Sequence, residues 1–330
     1  MKRFQCPACG KEVHFKNMTC VNCGAALGVD PVPMVMVIPG PNARRCANAK
    51  GADCNWVLPA GQTGFCLACR HNDVVPDRAP AGNRARWSQI ELAKRQLVYA
   101  LLRWSLPHPT RSEEPVTGLS FAFLADVRNP DGSLTPLATG HQDGVITLNI
   151  AESDDVVRAK RRTSLGEPYR TIIGHLRHEV GHYYWWRLIG QGGPVEAFRG
   201  LFGDERQDYG QALQRHYANG PPANWNQTHI SAYATAHPWE DFAETWAHWM
   251  HIVDGLETAR AYGLLQTGTT PDPYQSTGIE QLIDAWVPVT VAVNEMNRGM
   301  GQPDLYPFVL SKSVLGKLRF INDLIHNAGR

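Results

Sequence analysis

Eight cysteines fall between Cys6 and Cys69, and the 261 residues that follow contain none. They group as Cys6-x2-Cys9, Cys20-x2-Cys23, then Cys46, Cys54 and Cys66-x2-Cys69. A CxxC pair sets two thiolates on one tight turn, both able to reach a metal at about 2.3 Å, and two such pairs complete a tetrahedral zinc site. Gly10 and Gly24 directly follow the first two pairs, where a knuckle backbone requires positive φ. The second quartet is less regular because of its Cys46-x7-Cys54 half, and pairing across the two quartets stays open. Disulfides would need an oxidising compartment. Met1-Lys2-Arg3 runs into a cysteine pair rather than an apolar stretch, so neither a signal peptide nor an anchor is expected. A redox CxxC belongs in a strand-helix context and does not call for three copies. Roughly the first 75 residues hold few large apolar side chains and cannot fold on burial alone, so metal is expected to supply folding free energy there.

The remaining chain has the means to build a core. Hydrophobic residues make up 43% and charged residues 19% of 330, which excludes wholesale disorder. Lys+Arg 32 against Asp+Glu 31 leaves a net +1, so no global field holds the protein on nucleic acid or an anionic membrane. The early apolar run Met34–Ile38 is boxed in by Pro33 and Pro39 and is too short to span a bilayer. A soluble cytoplasmic protein is expected, with no membrane contact. The polar stretch Asn72–Asn83 reads as a linker and divides a zinc-binding region, 1–76, from a larger domain, 77–330. Helical spacing runs from Trp87 to Trp104, and Leu119–Val127 and Gly144–Ala151 look like strands around a turn at Asn129-Pro130-Asp131-Gly132. The expected fold is α+β, mostly helical with a small sheet, behind tandem zinc-ribbon modules.

The most informative stretch is Tyr169–Ile189, which contains His178-Glu179-Val180-Gly181-His182. On a helix, positions i and i+4 lie one above the other, so both imidazoles can bind one metal. Glu179 then borders the open coordination position, where it can take a proton from water and pass it to a leaving amine. The bland alternative is a buried helix with two hydrogen-bonded histidines. A catalytic zinc site normally has three protein ligands. A third histidine from an extended motif is excluded, because Leu188 stands at its position and Trp185 replaces the required glycine. A glutamate from a later helix is the other solution. Pro238–Met250 reads as such a helix, with Pro238 at its first position and an apolar stripe through Phe242, Ala243, Trp246, Trp249 and Met250. Glu240 and Glu244 are one turn apart, so one carboxylate can ligate the metal while the other receives a histidine N–H. Glu240 alone would pass for a first-turn residue complementing the helix dipole.

His-Glu-Val-Gly-His followed by Glu240-Asp-Phe-Ala-Glu244 resembles the gluzincin metallopeptidases, in particular the lethal-factor-like group. That resemblance implies a zincin-like domain with His178, His182 and Glu240 on a catalytic Zn²⁺ and Glu179 as base. It also implies a tyrosine seven residues before the glutamate ligand, here Tyr233, that stabilises the oxyanion. The resemblance extends to the helix around Phe320–Asp323. The whole chain is similar to a bacterial family of zinc-binding metallopeptidases with an N-terminal zinc ribbon, through HLRHEVGHYYWW, THISAYATAHPWEDFAETWAHWMH, GHQDGVITLNIAESDD and MGQPDLYPFVLS. One departure is the 57 residues between His182 and Glu240, which make an insertion expected to wall the cleft.

The expected cofactors are one catalytic and up to two structural zinc ions, and the expected substrate is a peptide or protein. Two rivals remain. The ribbon carries Lys2, Arg3, Lys11, Lys16, Arg44, Arg45, Lys50 and Arg70, so it can contact nucleic acid or protein while the HExxH domain serves as scaffold. The same water chemistry also serves a non-peptide amide. His175, one turn before His178, is expected beside the ligands rather than on the metal. Asp208, His248 and His251 are rival ligands, and His237 is expected to cap a helix or line the entrance.

Overall fold

The computed structural model describes residues 1–128, 131, 134–135, 139–154, 157–158, 171–265 and 272–329. Most of the turn expected at 129–132, and Tyr169 at the head of the informative stretch, lie outside them. The chain divides into two compact units. One comprises Lys2–Leu102 and Pro107–Leu176; the other comprises Met1, Arg103–Leu106 and Arg177–Arg330.

The cysteine-bearing unit begins with three small antiparallel ribbons. They pair β1 (Phe4–Gln5) with β2 (Glu12–Val13), β3 (Gly28–Asp30) with β4 (Val35–Val37), and β5 (Ala43–Arg45) with β6 (Val57–Pro59). Ribbons this short are not stable alone and must hang on a shared core or a metal. The core is aromatic. Phe15 meets Trp56 edge-on at 6.3 Å and Tyr99 at 6.1 Å, all three being buried. Tyr99 belongs to α1 (Asn83–Arg103), which buries Trp87, Ile90, Leu97, Val98 and Leu101 and starts earlier than the apolar period suggested. Helix α1 also buries an ion pair, Glu91–Lys94 at 2.9 Å, whose carboxylate accepts from the Asn72 amide at 2.7 Å.

That asparagine opens β7 (Asn72–Val74), so the head of the stretch read as a linker is a strand. It lies at the edge of a four-stranded sheet ordered β11-β12-β8-β7. An edge strand needs only backbone pairing on one side, which is why three polar-leaning residues suffice. The central strand β8 (Ser120–Leu124) runs parallel to β7 and to β12 (Val145–Asn149). Its near-continuous apolar sequence and burial are those of a parallel strand covered on both faces. Strand β11 (Gly140–Gln142) forms a hairpin with β12 through Asp143-Gly144, both at positive φ, the signature of a type I′ turn. A further pair joins β9 (Val127–Arg128) to β10 (Leu134–Thr135). His175 Nδ1 lies 2.8 Å from Glu152 Oε2 in this unit.

The other unit is helical. Helix α2 (Ile172–Trp185) enters it at Arg177 and ends in a π turn over Trp186–Gly190. Then follow α3 (Val195–Phe202), α4 (Tyr209–Asn219), α5 (Pro238–Ala261), α6 (Ile279–Gly299) and α7 (Lys312–Ala328). Helix α5 is the hub, burying Phe242, Trp246, Trp249, Ile252, Val253 and Leu256 and packing against α3, α6 and α7. Its approach to α2 is set by Gly181. A Cβ there would stand 2.9 Å from Ala243 Cα, so the two backbones meet at a distance only glycine permits. Beside that contact Tyr184 stacks on Trp246 at 4.9 Å. Tyr183 and Tyr184 are fully buried, while Trp185 and Trp186 are half-buried. A buried ion pair, Lys317–Asp241 at 2.5 Å, ties α7 to the first turn of α5. Among the described residues, no helix is long and apolar enough to cross a membrane. The architecture is the expected one, mostly helical with small sheets behind a cysteine-rich region.

Candidate metal centres

The cysteines assemble as Cys6, Cys9, Cys20, Cys23 and as Cys46, Cys54, Cys66, Cys69, with no exchange between the quartets. Sulfur separations are 3.8 Å for Cys6–Cys23 and Cys9–Cys20, and 3.7 Å for Cys54–Cys66 and Cys54–Cys69. A tetrahedron with arms of about 2.3 Å has edges of about 3.8 Å, so the donors fit zinc. Gly10 and Gly24 take φ of 70° and 74°, which turns the backbone back over the first quartet. In the second quartet Cys46 Sγ accepts from the backbone N–H groups of Asn48 at 3.5 Å and Cys66 at 3.4 Å. All four of these cysteines are buried, and burial pushes the Cys66 thiol well up, a cost that a dication offsets.

A third group is His178, His182 and Glu240. Helix α2 sets the two imidazoles one turn apart and edge-on, Nε2 to Nε2 at 3.1 Å. Glu240, in the first turn of α5, brings Oε2 to 3.0 Å from His178 Nε2 and Oε1 to 3.5 Å from His182 Nε2. Zinc–nitrogen and zinc–oxygen arms of about 2.0–2.1 Å give tetrahedral edges of about 3.3 Å, so these donors also fit one ion. Glu240 Oε2 is buried without a hydrogen bond although His178 Nε2 is so near, as suits two lone pairs directed at a common third atom. The helix start is well defined. Pro238 occupies the first helical position, and His237 caps it, Nδ1 accepting from the Trp239 N–H at 3.1 Å while Nε2 donates to the Gln207 carbonyl at 3.2 Å.

The surroundings orient the donors. Glu244 Oε1 accepts from His178 Nδ1–H at 2.7 Å, leaving Nε2 with its lone pair, and Glu244 Oε2 accepts from the Ser231 hydroxyl at 2.6 Å. Burial alone would raise the Glu244 pKa, but the His178 N–H outweighs it and holds the carboxyl near 2. Burial opposes the His178 imidazolium, yet the Glu240 and Glu244 carboxylates lift its pKa well above the ordinary value. Glu240 is likewise held well below the usual carboxylate range, burial being outweighed by His182 and His178. The cluster is strongly polarised for a cation.

Tyr209, the first residue of α4, donates its hydroxyl to Glu240 Oε1 at 2.7 Å. Burial and the Glu240 and Glu179 carboxylates push its pKa up, so it stays a proton donor. Neither Tyr209 nor Ser231 was singled out from sequence; Tyr209 lies in the insertion with no spacing rule to mark it. Tyr233 sits in a short 3-10 turn with its ring 5.9 Å from that of His178. Glu179 is buried beside His178 on α2. The rival residues are placed elsewhere. Asp208 caps α4, accepting from the Gln211 N–H at 2.9 Å; His248 Nδ1 lies 2.9 Å from the Tyr306 hydroxyl; and His251 meets Arg177.

Residues 83–324 match a family described as "Putative zinc-binding metallo-peptidase". The chain belongs to this family. Residues 3–80 match a zinc-ribbon domain, so the resemblance to a zinc-binding metallopeptidase family with an N-terminal zinc ribbon is borne out. Among the relatives are uncharacterized proteins of Mycobacterium bovis and Mycobacterium tuberculosis, each 42% identical over 331 residues, which cover 98% of this chain and 95% of the relative. No solved structure matches the chain. Zinc binding thus follows from the family and from the two cysteine quartets together.

Proposed function

We propose that this member of the family is a zinc-dependent peptidase of the gluzincin type, with His178, His182 and Glu240 as its catalytic metal ligands. The observation that carries the reading is the convergence of these three donors with Glu244 on His178 Nδ1. The two cysteine quartets fill all four tetrahedral positions and hold structural ions, whereas three donors leave one position open. Eight cysteines arranged for metal rather than joined in pairs also support a reducing, cytoplasmic setting. The working boundary between the ribbon region and the catalytic domain is residue 76.

A zinc ion in the open site supplies a Lewis acid and a water of lowered pKa. Glu179 takes the proton of the attacking water on its carboxylate and delivers it to the leaving nitrogen. The Tyr233 hydroxyl donates to the oxygen that gains charge as the carbonyl becomes tetrahedral. Glu244 accepts from His178 Nδ1–H and Tyr209 donates to Glu240 Oε1, so neither ligand rotates during turnover. Peptides and proteins are the substrate class that the family description supports.

Three variants test the assignment. Glu179→Gln should keep its zinc while peptide turnover falls roughly 10²–10⁴-fold, the usual cost of a lost general base. Glu240→Ala should lose zinc from this centre and activity together, and Tyr233→Phe should keep zinc and slow the reaction. Full zinc content in Glu240→Ala, with loss in Asp208→Ala or His248→Ala, would refute the ligand set.

A further inference from the structure

Helix α4 belongs to the insertion between His182 and Glu240, and its inner face leads away from the metal centre. Tyr209, Ala212, His216 and Asn219 recur at intervals of three and four and therefore share one face. Tyr209 touches Glu240 at one end. Further along, His216 packs its ring 5.9 Å from that of Tyr233, and its Nδ1 lies 3.3 Å from the Thr235 hydroxyl. The same His216 and Thr235 border a cleft of about 250 Å³, lined also by Gln207, Arg215 and Asn219 among others. Its lining is polar, and no lining residue is acidic. Arg215 forms no ion pair or hydrogen bond among the described residues, is exposed, and lines the cleft. The nearest acid in sequence, Asp208, is engaged with Gln211 at the head of α4.

The geometry points to this cleft as a substrate subsite that takes a carboxylate, with Arg215 as its reader. A guanidinium presents a planar fork of N–H donors that matches a carboxylate in two parallel hydrogen bonds, and the Gln207 and Asn219 amides add neutral donors. Arg215 is set apart from the Glu240 carboxylate along the helix. Arg215 is six residues beyond Tyr209, about 9 Å of axial rise, which is the span of roughly three residues of extended peptide. Which peptide position carries the charge is what a scanned peptide series reads. An acidic side chain and a free C-terminal carboxylate present the same chemistry, and the peptide design separates them. The inference rests on the peptidase reading, and it makes this enzyme selective for acidic peptides.

The test is binding of labelled peptides to full-length, zinc-loaded Glu179→Gln protein, read by fluorescence anisotropy. One peptide set places Glu or Gln at each position of a neutral, amidated sequence, and a second carries a free or amidated C-terminus. A carboxylate at one or two positions should tighten binding roughly five- to tenfold over its amide, a modest gain because the site is open to solvent. Higher salt should erode that gain. Arg215→Gln should abolish it without altering the thermal melt, and Arg215→Glu should favour Lys at the same position. Equal affinity for acid and amide, or a preference that survives Arg215→Gln, overturns the subsite. The two readings fail separately. If wild-type protein cuts none of the peptides it binds with this preference, the peptidase reading falls and the carboxylate site stands. Cleavage indifferent to the carboxylate, with binding equally indifferent, removes the subsite alone.

Discussion

The cysteine quartets and the His178–His182–Glu240 centre use metal-ligating side chains to opposite ends. Each quartet draws its ligands from a short run of chain, Cys6–Cys23 or Cys46–Cys69, and closes the tetrahedron with four sulfurs. The histidine group joins two candidate ligands on α2 to one on α5, separated by the long insertion, and gathers three donors among the described residues. Local ligands help the metal organise backbone that has little apolar core. Remote ligands require a fold that already exists. On the proposed assignment, the quartets are sites where metal makes structure, and the histidine centre is a site where structure positions metal.

The largest effect that separates the two should come from Cys54→Ala. Structural zinc contributes apparent free energies of roughly 10–16 kcal/mol in isolated finger peptides, so removing one sulfur should open the region it holds. Elemental analysis should show one zinc fewer per chain, and limited proteolysis should cut between residues 46 and 69. A variant as resistant to protease as wild type would erase the contrast. Reducing agent alone should leave the region folded.

Tyr209→Phe probes the other side of the comparison. It deletes the hydroxyl that holds Glu240 Oε1 and keeps the ring, so the fold should persist. Zinc affinity at the histidine centre should drop about 10–100-fold, as is typical when a hydrogen bond to a ligand is removed. Competition with a graded chelator measures this directly, and the quartets serve as the internal control. An unchanged affinity would mean that the ligand geometry is held by α5 alone.

The smallest effect concerns two buried histidines in contrasting surroundings. His178 faces two carboxylates. His71, in the cysteine-bearing unit, has its pKa pulled down to about 3 by burial, although Nδ1–H donates to the Leu119 carbonyl at 2.8 Å. The unfolded chain takes up a proton near pH 6.5 while the folded chain does not. His71 thus contributes stability that is fully present above that pH and is lost as pH falls toward 3. Below pH 6 the loss should approach roughly 1.4 kcal/mol per pH unit, and His71→Phe should remove it. Denaturant unfolding of both proteins between pH 5 and 7 would show it; parallel pH slopes would exclude His71 as a source.

Much of this was legible in the chain itself, for identifiable reasons. The CxxC spacings place thiolates by local turn geometry, and the grouping into quartets follows sequence order. His178 and His182 follow from the helical period once the stretch is read as helix. Pro238 marks the start of α5, and the one-turn spacing of Glu240 and Glu244 anticipated a carboxylate toward the metal group and another on a histidine N–H. Asn72–Val74 escaped because its strand character comes from pairing with Ser120–Leu124, about fifty residues on, rather than from its own composition.

What the sequence determined alone is therefore whatever is fixed by spacing within a turn or a helical period: the thiol pairs, the paired imidazoles, the two stacked carboxylates. Tertiary structure decided that Gly181 lets Ala243 approach closely enough for Glu240 to reach both histidines. It also decided that Tyr209 grips that carboxylate and that Ser231 grips the next. Those contacts join elements whose separation along the chain carries no period. They arise only when apolar burial packs α5 against its neighbours and fixes distances that local backbone geometry leaves free.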